Sequence, residues 1–562
     1  MIPKESLIQE IEIKPIKIFT DKEGHAFETI RSDDKIFEGK FGQNFISTSF
    51  PGVIKGLHKH DRLTEYTTCI GGNILYIAIK ETPEGPIMQK ILMGEDNMKL
   101  VKNPPGIWHG YIVLPGKDAT VLYTMDTPYD PNQVDQLTRD TNFYGDIWTN
   151  KQKSCRICNS PLSVFLNLGK APISNLWLSK EEIHKDVFRF NLEAAFCTEC
   201  KMVQLTEFVP YEKYIIPTEP GKTEYSFYSS TSDFMITHFS EYAKEIEDSY
   251  MENNDLVVEI GGNDGIMLQA FSNNIRKLNI EPGTNVAEVA RSKGIESWTD
   301  FFTEDLAKKI VSEKGKAKSI ISANVILNIG DLHELLKGVN TLLDDEGVFV
   351  FQDPYMPKIL ERNSFDQFYD EHIYYFSATS LSNLLKMHGL EIFNLSMQDV
   401  HGGSMRVYVK KISSQRQISD SVQKFLDKEK DLGLDKLETY EKFAGRVSRI
   451  KNNLNNLLDL LKQQNKKIVG YAATCKSSTV FTYCNIGPDK IDYISDSTPD
   501  KQGKLSPGKH IPIVTPDFFH KDNPEYTLLL AWNHEKEIIQ KESEYLKNGG
   551  KFITFNPEVR II

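Results

Sequence analysis

The chain has 562 residues, of which 40% are hydrophobic and 26% are charged, a balance that supports several globular domains with ordinary cores. Its 78 acidic and 66 basic residues give a net charge of -12, which disfavours a general nucleic-acid binder because such proteins present a basic face. No run of about 18 apolar residues occurs, so no membrane span is predicted. The charged N-terminal residues do not fit a signal peptide, and a cytoplasmic location is expected.

Residues 1–150 are predicted to be all-β. Short apolar or alternating runs, such as Ile74–Ile79 and Ala119–Met125, are separated by glycine and proline turns, of which Pro104-Pro105-Gly106 is one. Closely spaced strands with turn signals are typical of a sandwich or a barrel.

Residues 151–215 hold two CxxC pairs and little hydrophobic periodicity. The pairs are Cys155/Cys158 and Cys197/Cys200. Two such pairs complete a closed tetrahedral site with no open position for substrate, so a structural zinc ion is expected. Free thiols are the alternative, and a redox pair is disfavoured because that motif occurs on a βα turn.

Residues 216–412 alternate strand and helix signals, which predicts a Rossmann-like, doubly wound α/β domain. Residues 413–465 are predicted to be connecting helices, with Tyr440 to Leu461 forming one apolar stripe at three- and four-residue steps, Leu457 included. Residues 466–562 return to strand–helix alternation, which predicts a second Rossmann-like unit.

A glycine-rich turn, Gly261-Gly-Asn-Asp-Gly265, separates a predicted strand from a predicted helix. Backbone and helix N–H groups at such a turn can approach a ligand closely. Glu281 ends the next predicted strand, where an acid can bind both ribose hydroxyls of an adenosine. The glycine spacing is not G-x-G-x-x-G, which favours S-adenosylmethionine and leaves an NAD-dependent sugar oxidoreductase as the alternative.

Several further motifs occur in order: Ile280-Glu-Pro-Gly, Phe365 to His372, His401 to Tyr408, and Gly470 to Lys476. Together with the cysteines and the glycine-rich turn, they resemble the sugar C-methyltransferases that act on nucleotide-linked 4-keto-deoxyhexoses, over residues 153–562. The resemblance implies three sets of site residues. They are catalytic Tyr369, Glu371 and His372; cofactor-binding Gly261, Asn263, Asp264, Gly265, Glu281, Pro282 and Asn324; and substrate-binding Tyr225, Asn328, Arg406, Lys476 and Asn533.

The expected chemistry agrees with these residue types. A 4-keto group acidifies the proton on carbon 3, a base removes it, and the enolate attacks a methyl group held in line. His372 is the candidate base, with Glu371 or Tyr369 orienting it or stabilising the enolate. The alternative interpretation is a turn that only caps a helix. Asn328 stands where the family often has a histidine, and it can hydrogen-bond a keto oxygen but cannot carry a proton.

The N-terminal region carries a second resemblance, over residues 10–148. The segments around His58, His109 and Tyr129 resemble the cupin-fold dTDP-4-dehydrorhamnose 3,5-epimerases, which are jelly rolls. This implies His58 as base, Tyr129 as acid and His109 lining the pocket. The family's active-site lysine is missing near Glu65, and its C-terminal extension is absent. A single-carbon epimerase, a ketoisomerase and an inactive dimerising module therefore stay open.

A metal-binding cupin is a further alternative. Gly52, His58, His60, Glu65 and Gly72 match the spacing G-x5-H-x-H-x4-E-x6-G, and His109 could be a fourth ligand. Three histidines and a glutamate suit a divalent transition metal. Val113 stands where the second half of this motif usually has asparagine.

The sequence thus predicts a bifunctional enzyme of deoxysugar biosynthesis. Its main activity would be S-adenosylmethionine-dependent methylation of carbon 3 of a nucleotide-linked 4-keto-6-deoxyhexose, with a dTDP-linked substrate. The N-terminal cupin would epimerise carbon 3, carbon 5 or both of the same sugar. No nucleic-acid or membrane partner is expected, and a homodimer through the cupin is.

Overall fold

The computed structural model describes residues 3–21, 24–95, 97–114, 117–131, 133–141, 143–145, 147–148, 154–184, 187–207, 209, 211, 214–219, 222–225, 228–231 and 233–562. Its internal contacts divide the chain into two units, residues 1–151 and residues 152–562.

The first unit contains two β-sheets and a short hairpin (Ile18–Asp21 with Gly24–Phe27). In spatial order, the six-stranded sheet runs Lys4–Glu5, Ile87–Gly94, Asn73–Lys80, Trp108–Val113, Ile54–Lys59 and Leu137–Thr138. The five-stranded sheet runs Glu12–Pro15, Lys99–Asn103, Glu65–Gly71, Ala119–Met125 and Gln43–Ser49.

The core of this unit lies between the two sheets. Alternate residues of each strand point inward, as the two-residue period of a strand requires: Cys69 and Val121 come from one sheet, and Tyr76 and Tyr111 from the other. The predicted all-β cupin jelly roll is therefore confirmed.

The second unit begins with an antiparallel sheet that carries the cysteine pairs. Its strands are Leu162–Pro172, Arg189–Cys197, Val203–Leu205 and Tyr374–Tyr375. The fourth strand comes from much later in the chain, which ties the cysteine-bearing segment to the segment that follows His372. A small hairpin, Ile216–Glu219 with Lys222–Glu224, and a 3₁₀ turn, Lys180–Glu182, complete this part.

A seven-stranded α/β sheet follows, as predicted. Its spatial order is Ser297–Trp298, Arg276–Ile280, Leu256–Ile260, Ala317–Ala323, Leu343–Pro354, Ser404–Lys411 and Leu390–Gln398. The first five strands are parallel and Ser404–Lys411 is antiparallel to its neighbours. The associated α-helices are Asp233–Tyr250, Ile266–Gln269, Thr284–Ser292, Glu304–Lys314, Leu332–Leu342, Met356–Arg362 and Ala378–Lys386, with 3₁₀ turns Ser229–Thr231, Ile326–Asn328 and Phe365–Gln367.

Two helices, Asp420–Asp431 and Leu437–Gln463, connect this sheet to the last one. The predicted apolar stripe packs inward, except that Leu458 is the buried leucine where Leu457 was expected; Leu457 is half-buried.

The C-terminal sheet has six strands, and five of them are parallel. They run Ile513–Val514, Ile494–Ser495, Ile468–Tyr471, Tyr526–Leu529, Lys551–Thr554 and, antiparallel, Arg560–Ile561. Its helices are Cys475–Tyr483, Pro516–Asp522, Glu535–Lys541 and Ser543–Lys547, with 3₁₀ turns Pro499–Lys501 and Trp532–His534. This is the predicted second Rossmann-like layer.

Within the described part of the chain, no helix combines the length and the apolar composition that crossing a bilayer requires.

Candidate active sites and metal centre

The four cysteines of the two CxxC pairs come together. Cys155 and Cys200 have their sulfurs 3.4 Å apart, as do Cys158 and Cys197, and all four sulfurs lie within 4.8 Å of one another. A tetrahedral ion with Zn–S bonds of roughly 2.3 Å requires sulfurs roughly 3.8 Å apart. The cluster therefore fits one such ion.

Each pair sits in a turn of the same construction. The amide of Asn159 donates to the Cys155 carbonyl (2.8 Å), and the amide of Lys201 donates to the Cys197 carbonyl (3.0 Å). Both turn residues adopt a left-handed backbone conformation, with φ of 60° and 65°. Gln204 Nε2 also donates to Cys155 Sγ at 3.0 Å, as donors commonly do to ligating thiolates.

The glycine-rich turn lies at the carboxyl end of the strand Leu256–Ile260, in the middle of the α/β sheet. Gly261 has a φ of +70°, and a Cβ there would lie 2.6 Å from the Val325 side chain. A Cβ on Gly262 would lie 2.4 Å from Asn279 Oδ1. Gly265, with φ of 76°, precedes a helix of only one turn. Close packing of the backbone explains why glycine occupies these positions.

Glu281 reaches this turn from the next strand, as predicted. Its carboxylate accepts hydrogen bonds from the amide of Asn263 (2.9 Å) and from the amide of Gly283 (2.7 Å). Burial raises the pKa of Glu281 to about 7, although the hydrogen bonds from the two amides act to lower it. The carboxylate is thus fixed at the turn, and each oxygen retains a lone pair for a hydroxyl group.

Other predicted cofactor residues are engaged within the protein. Asp264 is fully buried and accepts from the backbone amide of Ser230 (3.2 Å), with Lys293 Nζ 3.5 Å away. Asn324 has a φ of 57° and donates its amide to the Gln352 carbonyl (2.8 Å). Pro282 accepts at its carbonyl from Thr223. These residues shape the loops around the turn.

Tyr369 and His372 form a hydrogen-bonded pair on the segment after the 3₁₀ turn Phe365–Gln367. His372 Nδ1 lies 3.1 Å from the Gln367 carbonyl and therefore carries the proton, so Nε2 accepts from Tyr369 Oη at 2.7 Å. Burial, and then the charge of Lys476, lower the pKa of His372 well below its usual value. The imidazole is a neutral base in this setting.

Glu371 lies beside this pair and is held by two donors. Asn175 Nδ2 donates to Oε1 at 2.7 Å and Tyr225 Oη donates to Oε2 at 3.1 Å. Burial, and then the charge of Asp370, raise the pKa of Glu371 to about 7. The structure thus brings Tyr225, Tyr369, Glu371 and His372 together.

Lys476 lies at the start of the helix Cys475–Tyr483, and its charge acts on the same site. Burial lowers the pKa of Lys476, against the attraction of Asp366. Lys476 in turn contributes to lowering the pKa of His401 to about 3, after burial, which is the larger cause. Asp366 accepts from Trp532 Nε1 at 2.6 Å. A half-buried cation therefore faces the Tyr369–His372 pair from the C-terminal sheet.

The remaining predicted substrate residues differ in their surroundings. Arg406 is buried and its guanidinium donates to Glu245 (2.5 Å) and to Gln352 (2.9 Å), so its charge is already paired within the protein. Asn328 Oδ1 is buried and makes no hydrogen bond to the described residues. Asn533 lies half-buried in the turn that carries Trp532.

The N-terminal sandwich contains a cavity of about 280 Å³ that opens beside His58. Twelve residues line it: Phe45, Ser47, Lys55, Gly56, Leu57, His58, His60, Glu65, Tyr123, Met125, Gln136 and Thr138. Tyr129 is not among them, and it is 65% exposed.

His109 and Glu65 stand next to His58 in this sandwich. The rings of His58 and His109 are 4.2 Å apart, because the two residues are paired across neighbouring strands. Burial, and then the charge of His109, lower the pKa of His58 to about 3. Burial would raise the pKa of Glu65, but the neighbouring His109 and His58 outweigh it and lower that pKa to about 2.

Several contributors to these sites were not predicted. Asn175 orients Glu371 from the four-stranded sheet, and Cys475 Sγ donates to Asn175 Oδ1 at 2.9 Å. Asp370 accepts from the amide of Ser174 at 3.1 Å. The local sequence around Ser174 and Asn175 does not say which side chains these residues contact.

Four family models match the chain in order. They are described as dTDP-4-dehydrorhamnose 3,5-epimerase (residues 5–156), zinc binding domain (residues 155–214), methyltransferase domain (residues 238–395) and C-methyltransferase C-terminal domain (residues 399–557).

Individual proteins match the two units separately. The C-methyltransferase NovU of Streptomyces niveus is 32% identical over 412 residues, which are 73% of this chain and 96% of that protein. The spore coat polysaccharide biosynthesis protein SpsL of Bacillus subtilis (strain 168) is 32% identical over 133 residues, 23% of this chain and 87% of that protein. The crystal structure of dTDP-4-dehydrorhamnose 3,5-epimerase from Sulfolobus tokodaii is 27% identical, covering 25% of this chain and 82% of that one, with a TM-score of 0.23.

Proposed function

The chain belongs to the C-methyltransferase family, and we propose that residues 152–562 methylate carbon 3 of a nucleotide-linked 4-keto-6-deoxyhexose. The observation that carries this proposal is the part-buried Tyr369–His372 hydrogen bond with the buried Glu371 beside it. A neutral imidazole with a fixed tautomer and a phenol on its free nitrogen is suited to removing a proton next to a ketone. Family membership does not favour the NAD-dependent oxidoreductase alternative.

S-adenosylmethionine fits the glycine-rich turn. Two features support this. The turn Gly261–Gly265 lies at the end of the central strand, and the fixed Glu281 carboxylate is available to accept from two ribose hydroxyls. When bound, S-adenosylmethionine supplies an electrophilic methyl group. Gly261 and Gly262 keep the backbone compact there, and Asn263 and Glu281 orient the adenosine end.

The proton transfer is assigned to the Tyr369–His372 pair. In the free site Tyr369 Oη donates to His372 Nε2. A substrate 4-keto oxygen would compete for this hydroxyl, which would free Nε2 to accept the proton from carbon 3. The C–H electron pair would form the enolate, which Tyr369 would stabilise as a donor. Carbon 3 would take up the methyl group, and the sulfur of the departing S-adenosylhomocysteine would keep the electrons of the broken C–S bond. One proton remains on His372 at the end of the step.

Other side chains position this substrate. Glu371, held by Asn175 and Tyr225, would accept from a sugar hydroxyl. Lys476 would supply a half-buried cation for the pyrophosphate, helped by backbone N–H groups at the start of its helix.

We propose that the ion of the four-cysteine cluster is zinc and that its role is structural. Four thiolates close a tetrahedral site and leave no position for substrate. The support is the 3.4 Å sulfur pairs and the two matching turns.

For residues 1–151 we propose epimerisation of carbon 3, carbon 5 or both of the same 4-keto sugar. His58, at the mouth of the cavity, is the proposed base. Tyr129 is the proposed acid, and it would have to approach the cavity when substrate binds. Both reactions draw on the acidity that the 4-keto group gives to its neighbouring carbons.

We also propose that this unit pairs with a second copy of itself. Its strand Gln43–Ser49 is the edge of the five-stranded sheet and exposes Phe45 and Ile46. Exposed apolar edge strands are common sites of association. Sedimentation of the intact chain tests this.

The test of both activities is incubation of the intact protein with dTDP-4-keto-6-deoxyglucose and S-adenosylmethionine in heavy water, followed by mass spectrometry and NMR. We expect a product with one added methyl group on carbon 3, absent with His372→Ala. We expect deuterium at the epimerised carbon, absent only with His58→Ala. No methyl gain with any 4-keto sugar would reject the methyltransferase assignment; deuterium that persists in His58→Ala would reject the epimerase assignment.

A further inference from the structure

Four potential metal ligands meet inside the N-terminal sandwich. His58, His60, Glu65 and His109 each offer one ligand atom, and these four atoms lie within 4.8 Å of one another. His60, Glu65 and His109 are buried, and His58 is half-buried beside the cavity of about 280 Å³. His58, Glu65 and His109 lie on three strands of two sheets, and His60 directly follows the strand of His58, so the fold itself gathers the four residues.

The ring of His60 is oriented as a metal ligand would be. Its Nδ1 hydrogen-bonds the carbonyl oxygen of Asp135, so it carries the proton. Its Nε2 is buried, makes no hydrogen bond to the described residues and lies 3.9 Å from Glu65 Oε2. A backbone carbonyl on one nitrogen and a bare lone pair on the other is the usual arrangement of a ligating histidine.

His109 has the same arrangement when its proton is on Nδ1. That atom lies 3.1 Å from the carbonyl of Ile107, and Nε2 is buried, without a hydrogen bond, 3.3 Å from Glu65 Oε1. Asn103 Nδ2 lies 2.8 Å from the same Nδ1. If that amide donates, the proton is instead on Nε2 and His109 faces Glu65 as a donor.

Glu65 supplies the negative charge of the cluster. Thr67 Oγ1 donates to Oε1 at 2.7 Å, which fixes the carboxylate, so that Oε1 faces His109 and Oε2 faces His60. One carboxylate against a divalent ion leaves a net positive charge, which an oxygen ligand entering from the cavity could offset.

We propose that His58, His60, Glu65 and His109 bind one divalent transition-metal ion. Three imidazoles and one carboxylate suit nickel, cobalt, iron, copper or zinc better than magnesium or calcium, which prefer oxygen ligands. Binding rests only on this geometry. One consequence also rests on the proposed epimerase function: a His58 nitrogen that coordinates an ion cannot accept a proton, so the ion and proton abstraction by His58 exclude one another.

The test is a calorimetric titration of the intact protein with Ni²⁺. The protein is first supplemented with zinc, and weakly bound metal is then removed with a mild chelator. We expect one Ni²⁺ per chain without nickel–thiolate absorption, because zinc occupies the cysteines. His60→Ala and the nearly isosteric Glu65→Gln should each weaken binding at least tenfold. His184→Ala, at an exposed histidine far along the chain, is the matched control and should bind like the wild type.

Three results would overturn the proposal. They are no Ni²⁺ binding by the wild type, binding that gives nickel–thiolate absorption, and unchanged affinity in both His60→Ala and Glu65→Gln. Thermal melting of each variant without metal shows whether it folds. Ni²⁺ should also raise the melting temperature of the first unit in the wild type and not in Glu65→Gln.

A parallel measurement separates this proposal from the epimerase assignment. Deuterium incorporation into the 4-keto sugar is followed with and without Ni²⁺. We expect the ion to suppress it and a chelator to restore it. Ni²⁺ binding with no deuterium incorporation in either state would reject the epimerase and retain the metal site. Full incorporation at saturating Ni²⁺ would reject His58 as a ligand.

Discussion

At the scale of single residues, the methyltransferase site is built around one hydrogen bond. Gln367 fixes the His372 tautomer through its carbonyl, and Tyr369 takes the remaining ring nitrogen. Without the Gln367 carbonyl, the His372 imidazole would sample both tautomers, and its Nε2 would not always be free to accept from Tyr369. The pair is therefore expected to act as a unit.

Replacing either member should slow methyl transfer strongly. We expect Tyr369→Phe and His372→Ala each to lower kcat by about 100-fold to 10,000-fold, the usual worth of acid–base catalysis. The double variant should be little worse than the slower single one, because groups that act together are not additive. Single-turnover methyl transfer measures this.

Tyr526→Phe is the control for that pair, since Tyr526 is half-buried at the start of a C-terminal strand. Its rate should match the wild type. A Tyr369→Phe variant with the wild-type rate would remove the phenol from the mechanism.

The pH profile should be set by Glu371. Its pKa is raised to about 7, so the carboxyl is protonated below that pH and ionised above it. The ionised form accepts from both Asn175 and Tyr225 and is the stronger acceptor for a sugar hydroxyl. We therefore expect kcat/KM for methylation to rise with pH through about 7. The His372 pKa lies well below its usual value and adds no step there.

Glu371→Gln should lower the rate and flatten that limb of the profile. Exposed Glu288 offers a matched control, and Glu288→Gln should leave the profile unchanged. A limb near pH 7 that survives in Glu371→Gln would assign it to another group. Glu281, whose pKa burial also raises to about 7, would be tested next, and then Asp370, with a pKa raised to about 6 by burial.

The sequence predicted which residues gather here better than it predicted what each contacts. Tyr225, Tyr369, Glu371 and His372 do meet, because their motifs are tied to fixed places on a fold. Arg406 is predicted to bind substrate, and in the structure its guanidinium donates to Glu245 and Gln352. That pairing depends on a helix and a strand distant in sequence, and no local pattern encodes it.

At the scale of elements, the cysteine turns and the catalytic segment share one sheet. Val203 pairs with Tyr375, and the Leu205 amide donates to the Ile373 carbonyl at 2.9 Å. Gln204, between them, donates to Cys155. The four-cysteine cluster is thus linked to the segment after His372 through the strand Val203–Leu205.

Removing the metal should therefore abolish methylation because residues 373–375 lose their ordered structure, and not because the metal acts on the substrate. We expect Cys197→Ser, or a strong chelator, to raise hydrogen exchange at residues 373–375 and to abolish methyl transfer, because structural zinc supplies folding free energy directly. Deuterium incorporation at the epimerised carbon should be unaffected by Cys197→Ser. Cys69→Ala, in the first unit, is the control and should keep methyl transfer. Normal exchange at 373–375 in metal-free protein would contradict this link.

The helix Leu437–Gln463 offers a test of packing along a single element. Leu454 is fully buried on its inner face, whereas Leu460 is 50% exposed. We expect Leu454→Ala to destabilise the second unit by about 2–5 kcal/mol through lost burial and a cavity. Leu460→Ala should change stability by less than about 0.5 kcal/mol. Denaturant unfolding measures both, and equal effects would contradict the assigned helix face.

That helix also shows why a periodic pattern does not predict which leucine is buried in its last turns. The spacing favours Leu457 and Leu458 about equally, since one is three and the other four residues after Leu454. The structure buries Leu458. The choice depends on what the helix packs against, which a pattern within the helix does not contain.

At the scale of the whole molecule, the order of folds could be predicted because each has its own periodicity and turn chemistry. Alternation predicted the sandwich, strand–helix repetition predicted the two parallel sheets, and cysteine spacing predicted the cluster. The pairing of Val203–Leu205 with Tyr374–Tyr375 could not be predicted. Contacts between short strands so far apart in sequence carry no local signal.

Each unit contains all the polar residues of its own proposed site, and this predicts complementation. An intact chain with His58→Ala retains the methyltransferase residues, and one with His372→Ala retains the cupin residues. We expect an equimolar mixture of the two to form the epimerised and methylated sugar from dTDP-4-keto-6-deoxyglucose, because the intermediate can diffuse between chains. Product formation is followed by NMR, with each variant alone as the control.

The time course decides whether the fusion does more than join two enzymes. A freely diffusing intermediate should give the mixture a lag that shortens as protein concentration rises, and added unlabelled intermediate should dilute a labelled one. The wild type should behave in the same way if both sites release their product. The wild type could instead show no lag and no dilution of the label, while the mixture shows both. That result would contradict free diffusion and would show direct transfer of the sugar within one chain.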